Sequence, residues 1–184
     1  MTKNFKKIFL IVSAHFLLSF SIVNAECKFM MNIGQIFKKS HENKYGPLPE
    51  NEHGFAEVEF IATEFCPDYG FDDNFLIKYT FLNKRLLATQ LIADNSLDNS
   101  ATESMKLMEY AKRVYGNFET GSNPEYYNNF NIWEKVQRYV VYKRRLIGNS
   151  WEEEIYISSD KYYEQLVEYE NMSELIEPLP EEEN

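Results

Sequence analysis

Twice along this chain, short apolar runs with strand character are followed by a stretch with helical periodicity. That order constrains the fold more than any other feature. The first copy is "FLIKYTFLNKRLLATQLIA", residues 75–93. Two β-rich runs flank Asn83-Lys84, a two-residue hairpin turn. A polar loop, "DNSLDNS", leads to Ser100 and Glu103, spaced as a capping box. Met105, Met108, Ala111, Val114 and Tyr115 then recur at helical spacing, and Gly116 sits at the C-cap position. The spacing predicts a helix from Ala101 to Tyr115. In the second copy "NIWEKVQRYVVYKRRLI" reads as one strand, Gly148-Asn149 as a turn, and "WEEEIYISS" as a second strand. Lys143, Arg144 and Arg145 can face Glu152, Glu153 and Glu154 across that hairpin. Asp160 opens a helix running to about Tyr169.

Upstream, "FAEVEFIATEF" alternates Ala56, Val58 and Phe60 with Glu57, Glu59 and Ile61, which is strand periodicity. Residues 34–54 begin with a short helix and end as a loop rich in Pro, Gly and Asn. Antiparallel hairpins interleaved with helices imply an α+β fold. The expected form is a tandem ββα arrangement: an antiparallel sheet of about 5–6 strands, with helices packed on one face as a two-layer sandwich.

The first 25 residues read as a secretory signal peptide. Lys3, Lys6 and Lys7 precede an apolar run from Ile8 to Val23, and Val23 and Ala25 suit a cleavage site. The run is shorter than a membrane span requires and contains His15. Residues 26–176 then form a single α+β domain, and residues 177–184 an acidic disordered tail containing two prolines. The expected location is periplasmic or secreted, with no stable membrane insertion after cleavage. The full chain carries a net charge of −10, and losing three lysines with the leader takes it to −13. Such a surface repels nucleic acid and anionic lipid.

Only two cysteines are present, Cys27 and Cys66. An exported chain with this inventory is expected to form one structural disulfide. A lipid anchor is disfavoured, because Glu26 stands where a lipoprotein signal needs a small residue. A C-x-x-C redox pair is absent from the sequence.

The stretches "IKYTFLNKRLLATQL", "LMEYAKRVYGNF", "NIWEKVQRYVVYKRR" and "EEEIYISSDKYYEQL" resemble the layout of many small, uncharacterised, secreted bacterial proteins. In those, a hairpin leads to a helix ending at Tyr-Gly, then to a Trp-bearing strand and a second hairpin and helix. Tyr115-Gly116 and Trp133 are the matching positions. The resemblance implies an extracytoplasmic α+β protein and transfers no catalytic residues.

Catalytic signatures are sparse. His41 and His53 lie among Glu42, Glu50 and Glu52, but not at the spacing of a compact zinc site. Asp94, Ser96, Asp98 and Ser100 alternate as calcium ligands do, yet the sixth position is Asn99 and the twelfth is Met105. Neither a nucleophile elbow nor a Gly-rich phosphate loop occurs in the sequence. A carboxylate pair for glycan hydrolysis is open to any acidic chain. The aromatics Tyr139, Tyr142, Trp151, Tyr156, Tyr162 and Tyr163 can pack sheet faces or line a groove. Tyr126, Tyr127, Phe130 and Trp133 form the expected binding surface, the first three exposed on a loop. The leading expectation is thus a non-enzymatic binding module for a peptide, protein or cell-envelope component, with no cofactor and no bound metal. The alternatives are a carboxylate-based hydrolase acting on envelope glycan, or a weak metal-binding protein.

Overall fold

The computed structural model describes residues 26–93, 106–118, 129–147 and 150–176. The leader, the Asp94–Ser100 loop, the capping box, Tyr126, Tyr127, the Gly148-Asn149 turn and the acidic tail lie outside the described residues. Element order is α1 (Lys39–Tyr45), β1 (Phe55–Ile61), β2 (Phe75–Leu82), β3 (Arg85–Ala93), α2 (Lys106–Tyr115), β4 (Asn129–Lys135), β5 (Arg138–Ile147), β6 (Ser150–Ser158) and α3 (Asp160–Ile176). Two 3-10 turns, Ala62–Glu64 and Pro67–Tyr69, follow β1. The strands make one six-stranded sheet in the order β1-β2-β3-β6-β5-β4, and every neighbouring pair is antiparallel. This is the α+β architecture that the alternating hairpins and helices imply.

The Asn83-Lys84 turn forms as expected, with both residues at positive φ, 50° and 62°. This is the twist that a two-residue hairpin prefers. The charged rows of the second hairpin also meet: Lys143 pairs with Glu154, Arg144 with Glu153 and Arg145 with Glu152. The stretch 131–147, read as one strand, is instead a hairpin. Lys135 and Arg138 close it around Val136 and Gln137. Gln137 has φ 64°, and the Val136 side chain is 92% exposed. Neither residue is a turn former, so the sequence carries no local mark of the reversal.

The helices differ from expectation in placement. Cross-strand register sorts the sheet residues onto two faces. One face carries the row Trp133, Val140, Ile157, Thr89, Tyr79 and Val58. On it, Leu107, Tyr110 and Ala111 of α2 join the main core with Ile77, Tyr79, Phe81, Leu91 and Tyr142. The opposite face carries Ile132, Val141, Tyr156, Gln90, Lys78 and Glu59. There Leu166 of α3 packs on Leu87 and Ala88 in a second, smaller cluster. The domain is therefore layered helix, sheet, helix.

A β-bulge makes room for this. The β2–β3 register shifts so that Phe81 pairs with Leu86 and Thr80 with Ala88, leaving Leu87 as the extra residue. Leu86 faces the main core, and the bulge puts the consecutive residues Leu87 and Ala88 together on the second cluster's side. A bulge breaks the alternation in this way by setting two residues opposite one on the partner strand. The Leu87 carbonyl accepts a 2.7 Å hydrogen bond from Ser158 Oγ, so it is not left unsatisfied. The chain before α1 supplies further partners: Leu86 N donates to Gln35 O, and Gly34 N donates to Leu86 O.

Cys27 and Cys66 form a disulfide with Cα atoms 4.6 Å apart. It joins the N-terminal segment to the link between the two 3-10 turns. Tyrosine hydroxyls knit the same segment onto the core. Cys27 N donates to Tyr110 Oη at 3.2 Å, and Met30 N donates to Tyr79 Oη at 3.0 Å. Burial pushes both phenols well above their ordinary range, so they stay neutral acceptors. No helix among the described residues is long and apolar enough to cross a membrane.

Candidate functional site: a tyrosine-walled groove

Because α3 crosses only one end of its sheet face, the β4–β5–β6 end of that face is left open. The result is a groove of about 1000 Å³ between those strands and the first turn of α3. Its floor is Ile132, Val141 and Tyr156, which form one cross-strand row. Tyr139 lies beside them, and Tyr162 and Tyr163 form the helix wall. Ile132 is 53% exposed and Tyr163 51%, so apolar surface faces solvent here.

The tyrosines support one another. Tyr139 and Tyr156 stack with centroids 6.3 Å apart, and Tyr163 meets Tyr156 edge-on at 6.5 Å. Such contacts hold rings in place and present a defined apolar surface. Partial burial pushes Tyr139 up to about 12, so its hydroxyl remains a donor at neutral pH. Lys143 lies over the Tyr156 ring at 5.2 Å while also pairing with Glu154 at 3.7 Å.

Charge in the groove is mixed. Its lining includes Lys135, Arg138, Lys143 and Lys161 against only Glu134 and Asp160. Two of these cations are already paired, Arg138 with Glu26 and Lys143 with Glu154, so the lining is close to balanced in charge. The groove's rim is pinned by the N-terminal segment. Arg138 Nη2 donates to both carboxylate oxygens of Glu26 at 2.9 Å, and Tyr115 Oη donates to Oε1 at 3.0 Å.

The aromatic residues singled out from sequence divide. Trp133 turns to the other face, half-buried against Tyr115 and Phe118 at centroid distances of 5.6 and 5.0 Å. Phe130 belongs to β4, paired in register with Lys143. Tyr126 and Tyr127 lie outside the described residues, so the four are not brought together as one surface. Tyr139, Tyr156, Tyr162 and Tyr163 are, from the set that the sequence left open between packing and groove, whereas Tyr142 of that set is buried in the main core. The missing signal was the Val136-Gln137 turn, which sets the parity of β4 against β5.

The histidines are elsewhere. His41 Nδ1 accepts from Lys38 N at 2.9 Å at the start of α1, and His53 Nε2 sits 3.3 Å from Glu52 on the surface. Among the described residues, no group of three or more His, Cys, Asp or Glu side chains is placed to hold a metal ion.

No protein-family model matches the chain, and the comparisons with curated proteins and with solved structures returned no significant match.

Proposed function

We propose that this protein is an exported, non-enzymatic binding module, and that its ligand site is the tyrosine-walled groove. The carrying observation is the half-covered sheet face. Ile132, Val141, Tyr139, Tyr156 and Tyr163 line an open concavity instead of a packed layer. A concave, mostly apolar surface with a few polar groups at its edge is what a binding site requires. The ligand classes that suit it are a peptide, a protein segment or a cell-envelope component. The lysine-headed apolar N-terminus supports export, and the disulfide is compatible with it.

The test is amide and methyl chemical-shift mapping with short peptides and soluble cell-wall glycan fragments. Binding in the groove shifts Ile132, Val141 and Tyr163 together. Shifts confined to the α2 face, or no shifts with either ligand class, would overturn the assignment.

A further inference from the structure

We propose that the groove takes an uncharged oligosaccharide. This rests on the groove being the ligand site and names the chemistry of its ligand. Cross-strand register decides which side chains face that ligand. Ile132 and Glu134 of β4, Tyr139, Val141 and Lys143 of β5, and Tyr156 of β6 share the α3 face. By the same alternation Lys135 and Arg138 belong to the other face. There Arg138 meets Glu26, and Lys135 lies over the Tyr115 ring at 5.9 Å. Lys143 is paired with Glu154. The charges left to a ligand are therefore Glu134, Asp160 and Lys161, which carry both signs within one site.

Those polar groups select the ligand. Among the described residues, the side chains of Glu134, Gln137 and Asp160 hold no hydrogen bond or ion pair, and Lys161 lies over the Tyr162 ring at 5.6 Å with no carboxylate partner. An apolar peptide laid across Ile132 and Tyr163 would strip water from these groups and return no hydrogen bonds, which is costly for charges. A charged peptide would satisfy one sign and face the other. Hydroxyls both donate and accept, so a polyol serves carboxylate, amide and ammonium together. The tyrosines supply the apolar half. The Tyr139 and Tyr156 rings lie 27° from parallel, and Tyr163 stands at 87° to Tyr156, so floor and wall meet at a right angle. Lys143 covers one face of Tyr156, whereas Tyr163 is 51% exposed. A sugar ring has an apolar C–H face bounded by hydroxyls, which matches an aromatic corner edged with polar groups. The groove's volume of about 1000 Å³ lies at the top of the range for small-ligand sites, so it holds several sugar rings rather than one.

The probes are the neutral hexamers of β-linked glucose, α-linked glucose and N-acetylglucosamine, with a uronic-acid hexamer and short peptides as contrasts. At least one neutral hexamer should shift the Ile132, Val141 and Tyr163 resonances together. Its affinity should change less than about twofold between about 0.05 M and about 0.5 M salt, because no ion pair is screened. Tyr163→Ala should weaken it about tenfold and Tyr163→Phe should not, since the ring face is the contact. Glu134→Ala should weaken it about threefold or more through a lost hydroxyl acceptor. Both positions are exposed, so the variants keep the fold, which unchanged Tyr110 and Tyr142 resonances verify. Groove shifts with peptides and none with any neutral hexamer overturn the saccharide and leave the groove as ligand site. Tighter binding of the uronic-acid hexamer than of every neutral one overturns the uncharged ligand and also leaves the groove. Unchanged affinity in both Tyr163→Ala and Glu134→Ala overturns the assigned contacts. No groove shifts with any probe overturn both readings.

Discussion

Tyr142 donates a 2.7 Å hydrogen bond from its hydroxyl to Oε1 of Glu153, two residues apart in register on neighbouring strands and both buried in the main core. Met108 N in the first turn of α2 donates to the same oxygen at 3.1 Å. A carboxylate that is only 1% exposed is thus tied to sheet and helix together. It marks the point where α2 docks, since helix N-terminal N–H groups favour a negative partner. Desolvation, with the carboxylate beside it, drives the Tyr142 phenol far above its ordinary range.

Removing that hydroxyl tests the tie. Tyr142→Phe keeps the ring and loses one hydrogen bond to a buried charge, so stability should fall by about 2 kcal/mol. Glu153→Ala should cost more, because Tyr142 and Met108 N both lose their acceptor. Urea unfolding of the two variants gives the order, and a smaller loss for Glu153→Ala would contradict the arrangement.

The disulfide closes a loop between Cys27 and Cys66, 39 residues apart. On the chain-entropy account its loss destabilises the domain by about 4 kcal/mol. The Cys27→Ser, Cys66→Ser double variant and the reduced wild type should therefore unfold at similar, lower urea concentrations than the oxidised protein. An unchanged midpoint would mean that the tyrosine-hydroxyl contacts alone hold the N-terminal segment.

Alkali should unfold this protein cooperatively. Tyr79, Tyr110, Tyr115, Tyr142 and Tyr156 are all raised by desolvation, and Tyr139 stands at about 12. Unfolded tyrosines ionise near 10. The stabilisation from keeping these phenols neutral is complete below about pH 10 and is lost as pH rises through the folded values. Tyrosinate absorbance and circular dichroism followed together should show a late, steep ionisation coincident with loss of structure. A gradual titration centred near pH 10, with the fold intact, would contradict this burial.

Gly34 is a tight approach rather than a spacer. It has φ +84°, and a Cβ placed there would come within 2.6 Å of Tyr162 Oη on the groove's helix wall. Gly34→Ala should cost about 2 kcal/mol through backbone strain and displacement of that ring. The Tyr162 and Tyr163 resonances should shift in the variant, and thermal unfolding gives the loss. Gly46→Ala, where nothing lies within 4 Å although φ is +87°, separates the backbone contribution from the contact.

The α+β class was legible because hairpin and helix carry different apolar periods. "FLIKYTFL" and "RLLATQLIA" alternate around a turn, and the stretch beginning at Met105 does not. The Lys143–Glu154 and Arg144–Glu153 register was legible too, because opposite charges on adjacent strands have one complementary alignment. The cysteine pairing followed from there being only two. All these are properties of residue type and local order, which the chain carries before it folds.

Tertiary structure alone decided the rest. The Val136-Gln137 reversal has no turn residue to announce it; strand pairing on either side holds Gln137 at positive φ. The bulge at Leu87 contains no glycine, yet it sets Leu87 and Ala88 side by side on one face, giving α3 a surface of its own. Because strand side chains alternate, one extra residue or one two-residue turn exchanges every inward position for an outward one. That parity sends Trp133 into packing against Tyr115 and leaves Ile132, Tyr139 and Tyr156 around an open groove, a distinction that depends on partners distant in sequence.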